Sequence, residues 1–271
     1  MSTPIALTIA GSDSSGGAGV QADLKTFSAL GVYGASVLVA LTAQNTRGVT
    51  AIHDVPAAFV TAQIDAVFDD LAVGAVKIGM VSQSGTIEAI AAALESRGVV
   101  DVVADPVMVA ASGARLLQQD AIGALKGRLV PRARLLTPNL PEAAALLGAG
   151  AARDEQEMAE QARALQALGA RAVLVKGGHA DGADSVDVLV DDAGGVTRFA
   201  AARHATRNTH GTGCTLPSAI AAEIAKGRSL IEAVATGKAY VSAAIAAADA
   251  LTIGSGHGPV HHFHAWWPSR G

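Results

Sequence analysis

The run Asn208-Thr209-His210-Gly211-Thr212-Gly213-Cys214 holds the chain's single cysteine and leads into Leu216-Pro217-Ser218-Ala219-Ile220, which reads as a helix start. Two glycines let such a turn bend tightly and approach a ligand. The helix behind it offers unpaired N–H groups and the positive end of its dipole to a phosphate. Pro217 fits a first helical turn, where its missing N–H is no loss. On this segment alone, an ordinary Gly-rich turn before a surface helix is an open alternative. A second Gly-rich stretch, Gly11-Ser12-Asp13-Ser14-Ser15-Gly16-Gly17-Ala18-Gly19, lacks the Gly-Lys-Ser/Thr ending of a Walker loop and the dinucleotide-binding spacing. It reads either as a loop that brings backbone close to a ligand or as a flexible connection with a Ser cap.

Five further positions carry side chains suited to chemistry. Asp23 stands three residues after Val20 and four before Phe27, on the face its helix should bury, so it needs a partner: a ligand hydroxyl or amine, or a structural cation. Gln44 combines a donor and an acceptor and can read a heterocycle edge, or it is a plain turn glutamine. Asp105, held extended by Pro106, closes an apolar run and could hold Mg²⁺ or its water. Asn139-Leu140-Pro141-Glu142 has the spacing of a capping box, and the same geometry puts two oxygen side chains on one helix end. Lys176-Gly177-Gly178-His179 can set a point charge on a phosphate, or end a strand in a solvated lysine. Histidines 257, 261, 262 and 264 match no zinc spacing and read as tail and interface residues. His210 has no evident basic partner, and no G-x-S-x-G elbow supports Ser/His/Asp hydrolysis.

These residues need a scaffold, and the pattern supplies one. Ile5–Ala10, Ala35–Leu41, Ala75–Met80, Val99–Asp105, Arg134–Thr137 and Ala172–Val175 are short apolar runs with polar or Gly/Pro boundaries, as buried strands require. Helical periodicity lies between them, at Val20/Leu24/Phe27/Leu30, Phe59/Ile64/Val67/Leu71, Ile87/Ile90/Leu94 and Glu155–Leu168. The alternation predicts an α/β fold with a mostly parallel central sheet and helices on both faces. Val186–Val190 and Val196–Ala200 predict an added hairpin, and helices are predicted over 212–226 and 229–250. Ligands of open parallel sheets gather beyond the carboxyl ends of strands. Gly11, Gln44, Asp105, Asn139 and Lys176 each follow a predicted strand, so the fold brings five separated segments to one rim, which argues for an enzyme.

The 271 residues are 50% apolar and 16% charged, enough for a substantial core, and no composition shift, linker or repeat divides them; a single domain, 1–271, is expected. A net charge of −4 and 3% aromatic content offer nucleic acid and anionic membranes little, so neither is expected as a partner. One cysteine excludes an internal disulfide. With no secretory signal and no long apolar span, a soluble cytoplasmic protein is expected.

Taken together the motifs resemble the ribokinase-like superfamily, and within it the hydroxymethylpyrimidine kinase and phosphomethylpyrimidine kinase branch of thiamine biosynthesis. The resemblance is nearly full length. It is carried by Ala6-Leu7-Thr8-Ile9-Ala10-Gly11-Ser12-Asp13, the segment 16–26, Ala43-Gln44-Asn45-Thr46, Lys77-Ile78-Gly79-Met80, Thr137-Pro138-Asn139-Leu140-Pro141-Glu142-Ala143, Val175-Lys176-Gly177-Gly178-His179, the 208–214 turn and Gly258-Pro259-Val260-His261-His262-Phe263. It implies a three-layer α/β kinase fold and ATP-dependent phosphorylation of 4-amino-5-hydroxymethyl-2-methylpyrimidine, then of its monophosphate, with Mg²⁺ and as a homodimer. Asp23 and Gln44 are then similar to the pyrimidine-reading pair, with Gly11, Ala18, Met80 and Val107 lining the pocket. Asp105, Asn139 and Glu142 resemble the Mg²⁺ and phosphate-side set, with Asn139 also on the nucleotide side. Lys176 and Thr209 resemble nucleotide contacts, and Gly211, Thr212, Gly213 and Cys214 the anion hole.

Most sugar kinases of that superfamily carry Asp where this chain has Cys214. A phosphate acceptor in a second transfer is largely dianionic near neutrality and needs no proton removed, so a fixed carboxylate there would repel it. Cys214 is therefore expected to serve the anion hole in the second step and to assist deprotonation in the first. The competing readings are a pyridoxal kinase of the same superfamily and a non-catalytic pyrimidine or nucleotide sensor.

Overall fold

The run Ile5 to Ala10, apolar but for Thr8, is best satisfied where both faces are covered, and β1 (Ile5–Asp13) lies in the interior of a nine-stranded sheet. The computed structural model describes residues 2–108, 121–178 and 182–267. After β1 come α1 (Gly19–Ala29), β2 (Tyr33–Asn45), β3 (Gly48–Asp54), α2 (Ala57–Phe68), β4 (Ala75–Ile78), α3 (Ser84–Ser96) and β5 (Val102–Ala104). A short α4 (Ala121–Ala124) widens into a π turn over Leu125–Leu129 and closes in a 3₁₀ turn, Val130–Arg132. Then follow β6 (Leu135–Leu136), α5 (Leu140–Leu147), α6 (Glu155–Gln166), β7 (Ala172–Lys176), β8 (Asp184–Val190), β9 (Val196–Ala202), α7 (Thr212–Ala225) and α8 (Leu230–Ala246).

The strand order is β3-β2-β1-β4-β5-β6-β7-β8-β9. β2, β1, β4, β5, β6 and β7 run parallel, while β3 at one edge and β8 and β9 at the other are antiparallel to their neighbours. From β1 the chain moves outward to β2 and β3, then returns to place β4 on the other side of β1. Strand order thus reverses between β1 and β4, the point where open α/β sheets bind ligands.

Side chains alternate across the sheet and assemble two cores. Leu7, Ile9, Val76, Ile78, Val173 and Val175 pack against α2 to α6. Ala6, Ala75, Val103, Leu135 and Leu174 pack against α1, α7 and α8, where Phe27, Leu216, Ile220 and Val241 fill the layer. The expected three-layer α/β architecture is present.

Several boundaries differ from the pattern-based expectation. β3 carries no buried side chain, so its residues lack the apolar signal that marks the other strands. α7 begins at Thr212, which puts Pro217 at its sixth position and not in its first turn. Proline there gives no N–H to the Gly213 carbonyl; Gly213 is exposed, so water can serve that group. α8 stops at Ala246, followed by a 3₁₀ turn, Ala248–Ala250. His179 of the Lys-Gly-Gly-His motif lies outside the described residues.

Candidate active site

The carboxyl ends of β1, β2, β4, β5, β6 and β7 deliver the predicted residues to one edge of the sheet. β1 ends in Asp13, whose buried carboxylate turns back into its own loop and accepts from Ser15 N (2.8 Å), Ser15 Oγ (2.7 Å), Gly17 N (3.0 Å) and Ala18 N (2.8 Å). Burial opposes its charge, yet the hydrogen bonds from His210, Ser15 and Ala18 hold its pKa down at about 2. The N–H groups of Ser15, Gly17 and Ala18 are thus already occupied by an internal anion, so this part of the loop is held by its own carboxylate and has no N–H groups to offer a phosphate. Lys25 completes the loop by donating to the Gly16 carbonyl (2.6 Å).

Behind that loop the expectation for Asp23 is corrected. Asp23 has no exposed surface, and its carboxylate accepts from Lys77 Nζ (2.8 and 2.9 Å), Thr8 Oγ1 (2.6 Å) and Ser218 Oγ (2.6 Å). These bonds fill its acceptor positions, so it is a paired structural acid and does not face a pyrimidine. Lys77, between Val76 and Ile78, points into the layer of α1 and α7. Burial opposes its charge, but Asp23 outweighs that and raises its pKa.

The remaining acceptor-side residues lie around the β1–β4 reversal. Met80 lies over Gly11 so closely that a Cβ on Gly11 would fall 2.3 Å from the methionine methyl carbon. Gln44 is tied to the first loop through Ser14, and its amide lies 3.1 Å from Thr42 Oγ1, which donates to the Ser12 carbonyl (2.7 Å). Ala18 and Val107 are half-buried. Val107 follows Asp105, and its N–H reaches the Asp105 carbonyl (2.8 Å).

On the far side Asp105 accepts from Lys176 Nζ (2.6 Å) and Thr137 Oγ1 (3.2 Å). Burial works against the Lys176 charge, but Asp105 and then Glu142 raise its pKa. Glu142 is shifted up to about 7, first by burial and further by the like charge of Asp105, with Lys176 opposing. The capping box at the start of α5 is complete: Asn139 Oδ1 accepts from Glu142 N (2.9 Å) and Glu142 Oε2 from Asn139 N (2.8 Å). Asn139 therefore commits its carbonyl oxygen to the helix. Asp105 and Glu142 are the hard-oxygen pair that suits Mg²⁺, an ion held by one or two carboxylates with water and phosphate oxygens at its other positions.

Beside this set lies a cavity of about 400 Å³ between the β7–β9 edge and the helices α7 and α8, with Asn139, Lys176, Thr209, Thr212 and Gly213 on its wall. Asp187 and Lys238, which share a buried ion pair (2.8 Å), also line it, as does Arg203, which donates to the Gly178 carbonyl (2.8 Å). Pattern reasoning missed these three; a lysine inside the apolar helix Leu230–Ala246 was the available signal.

The turn that begins α7 has no side-chain cap, and Gly211 takes a left-handed φ of +85°. Thr212 N reaches Thr209 O (3.2 Å) and Thr215 N reaches Gly211 O (2.9 Å), which leaves the N–H groups of Gly213 and Cys214 without a partner among the described residues. Desolvation pushes the half-buried Cys214 thiol up to about 11, so it is a neutral thiol at neutral pH. His262 is buried, with burial and nearby cations lowering its pKa to about 3. Its Nε2 lies 3.0 Å from Thr215 Oγ1, whose own proton goes to Gly211 O (2.8 Å). Among the described residues no cluster of three His, Cys, Asp or Glu side chains is arranged to hold a metal, and His261 and His262 are packed inside the chain. No helix among them is long and apolar enough to cross a membrane.

The chain is similar to a known set of proteins. A family model described as phosphomethylpyrimidine kinase matches residues 13–261. A hydroxymethylpyrimidine/phosphomethylpyrimidine kinase of Rhizobium meliloti (strain 1021) is 63% identical over 265 residues, covering 98% of this chain and 99% of that protein. Among solved structures, the phosphomethylpyrimidine kinase of Clostridium difficile 630 matches with a TM-score of 0.79 at 44% identity, over 89% of this chain and 99% of its own. Bacillus subtilis pyridoxal kinase, in an ADP complex, matches with a TM-score of 0.88 at 35% identity, over 97% and 99%.

Proposed function

The chain belongs to the phosphomethylpyrimidine kinase family, and on that footing we propose that it transfers phosphate from ATP to 4-amino-5-hydroxymethyl-2-methylpyrimidine and then to the resulting monophosphate, in thiamine biosynthesis. The observation that carries this reading is the pair of open N–H groups at Gly213 and Cys214, set where the 400 Å³ cavity meets the acceptor-side residues. The cavity suits a nucleotide, in line with the ADP bound by the B. subtilis relative.

In this reading Gln44, Gly11, Ala18, Met80 and Val107 hold the pyrimidine with its hydroxymethyl arm toward Cys214. Lys176, Asn139 and Thr209 meet the nucleotide phosphates, and Gly211 to Cys214 take the transferring phosphoryl group at the helix N-terminus. Asp105 and Glu142 would hold Mg²⁺, which when bound offsets the charge of the phosphates. Phosphoryl transfer asks the protein mainly for alignment and electrostatic support, because its transition state is loose and needs little help from a base. The neutral Cys214 thiol is compatible with both acceptors: it sets no fixed negative charge against a phosphate. The B. subtilis pyridoxal kinase shares the fold at 35% identity, against 63% for the Rhizobium meliloti pyrimidine kinase, which supports the pyrimidine reading over pyridoxal.

The deciding experiment is ADP production with MgATP and, side by side, the hydroxymethylpyrimidine, its monophosphate and pyridoxal, with the two pyrimidine products resolved by chromatography. Conversion to the diphosphate is expected. Preference for pyridoxal by a wide margin would replace the pyrimidine with that substrate, and no ADP from any acceptor would reduce the chain to a binding protein. The assembly proposed is a homodimer of single-domain subunits, 1–271, acting in the cytoplasm.

A further inference from the structure

His210 and Asp13 are 197 positions apart and sit on opposite halves of the site, yet His210 Nε2 lies 2.8 Å from Asp13 Oδ2, both residues being buried. A carboxylate with a pKa of about 2 can only accept, so the ring nitrogen carries the proton and donates. We infer that the Asp13–His210 pair is a positioning clamp that locks the anion turn onto the acceptor loop and thereby sets the geometry of phosphoryl transfer.

Three further observations show why the link matters. Each side is rigid by itself: Asp13 organises residues 13–18, and the His210 backbone is bridged to the later segment by His210 N to Gly258 O (3.0 Å) and Val260 N to His210 O (3.2 Å). The two sides touch at the level of backbone, since a Cβ on Gly17 would fall 2.3 Å from the His210 ring and one on Gly211 would fall 1.9 Å from the Gly17 carbonyl oxygen. The Gly19 N–H faces the Cys214 thiol, and Gln44 Nε2 stands 3.5 Å from His210 Nε2, so the clamp sits between the acceptor residues and the open N–H groups. Rigid halves that meet through glycines have little side-chain interlock of their own, and the hydrogen bond to the Asp13 carboxylate supplies it.

The inference rests on the kinase reading for its catalytic consequence but not for the clamp itself, so two measurements are paired on the full-length chain. In the first, kinetics with MgATP and the hydroxymethylpyrimidine compare wild type, His210→Ala, His210→Gln and Asp13→Asn. Misplacement by about 1 Å costs about a hundredfold in rate. His210→Ala is expected to lose kcat on that scale with KM for ATP within about threefold, and His210→Gln, whose amide can still donate, to recover at least about tenfold of it. In the second, amide hydrogen exchange is expected to quicken in both 13–19 and 208–214 of His210→Ala, with the sheet unchanged. A kcat within about threefold of wild type, no recovery in His210→Gln, or exchange quickened in 208–214 alone overturns the clamp. Should His210→Ala fail to fold, the near-isosteric Asp13→Asn is judged by the same criteria. A wild type that transfers nothing to the pyrimidine sinks the kinase reading, while the exchange data still decide the clamp.

Discussion

Cys214 occupies a place where charge is unwelcome. Its thiol is neutral at pH 7 because its surroundings desolvate it, while Lys77 only partly opposes that effect. Substituting aspartate would fix a negative charge beside the incoming acceptor. Cys214→Asp is expected to slow transfer to the monophosphate at least about tenfold more than transfer to the hydroxymethyl compound, since the charge of the second acceptor near neutrality approaches −2. Cys214→Ser keeps the N–H and is expected to retain both activities; separate rates for the two acceptors check this, and equal losses in both variants would refute it. Glu142 is the complementary case. Its carboxyl is raised to about 7, above the 4.5 of a free glutamate, so the folded chain binds an extra proton between those values. The stability it contributes is full below 4.5 and is lost as pH rises through about 7, and Mg²⁺ held by Glu142, as proposed, would displace the same proton. MgADP titrated calorimetrically is therefore expected to bind more tightly at about pH 8 than at about pH 6, with protons released, and Glu142→Gln to erase the difference.

At the scale of elements, one buried network joins β1, α1, β4 and α7 through Thr8, Asp23, Lys77 and Ser218. Ser218 lies one helical turn beyond Cys214, so the network sets where the start of α7 sits. Removing the cation strands a buried carboxylate, and Lys77→Ala is expected to lose about 3–5 kcal/mol of stability in urea unfolding. The paired change Lys77→Met with Asp23→Asn should recover part of that; a loss below about 1 kcal/mol in the single variant would show that the Asp23–Lys77 pair does not hold these elements together. This network also marks the limit of what pattern reasoning can see. Helical spacing placed Asp23 on a buried face and required a partner, but spacing cannot choose between a ligand and a lysine 54 positions away. Lys77 inside Val76-Lys77-Ile78 was legible as a charge in a buried strand, and joining the two facts names the pair. Asp105, Asn139 and Lys176 were legible because each ends a strand and the parallel sheet turns all such ends one way. The cap at Asn139 and Glu142 was legible because it is local. The Asp13–His210 link was not: it joins two loops, and loops carry no periodicity from which to infer contact.

For the whole molecule, the sheet, its two cores, its hairpin edge and the rim of polar residues follow from alternating apolar runs and helical stripes, while the β3 edge does not. β3 went unseen because a strand with no buried side chain gives no hydrophobic signal. Assembly lies at this scale too. A homodimer is expected to run at about twice the 27.0 kDa subunit mass in light scattering, and a mass near one subunit refutes it.

The segment 258–262 has a consequence for the timing of synthesis. His210 is bridged on both sides by Gly258 and Val260, and His262 reaches Thr215 inside the first turns of α7. A ribosome completes the two loops that meet at Asp13 and His210 well before it adds the segment that braces them. Nascent chains halted between 246 and 257 would contain every residue of the described site and still lack the brace. Activity should therefore appear as a late step in translation, after most of the sheet is available to fold.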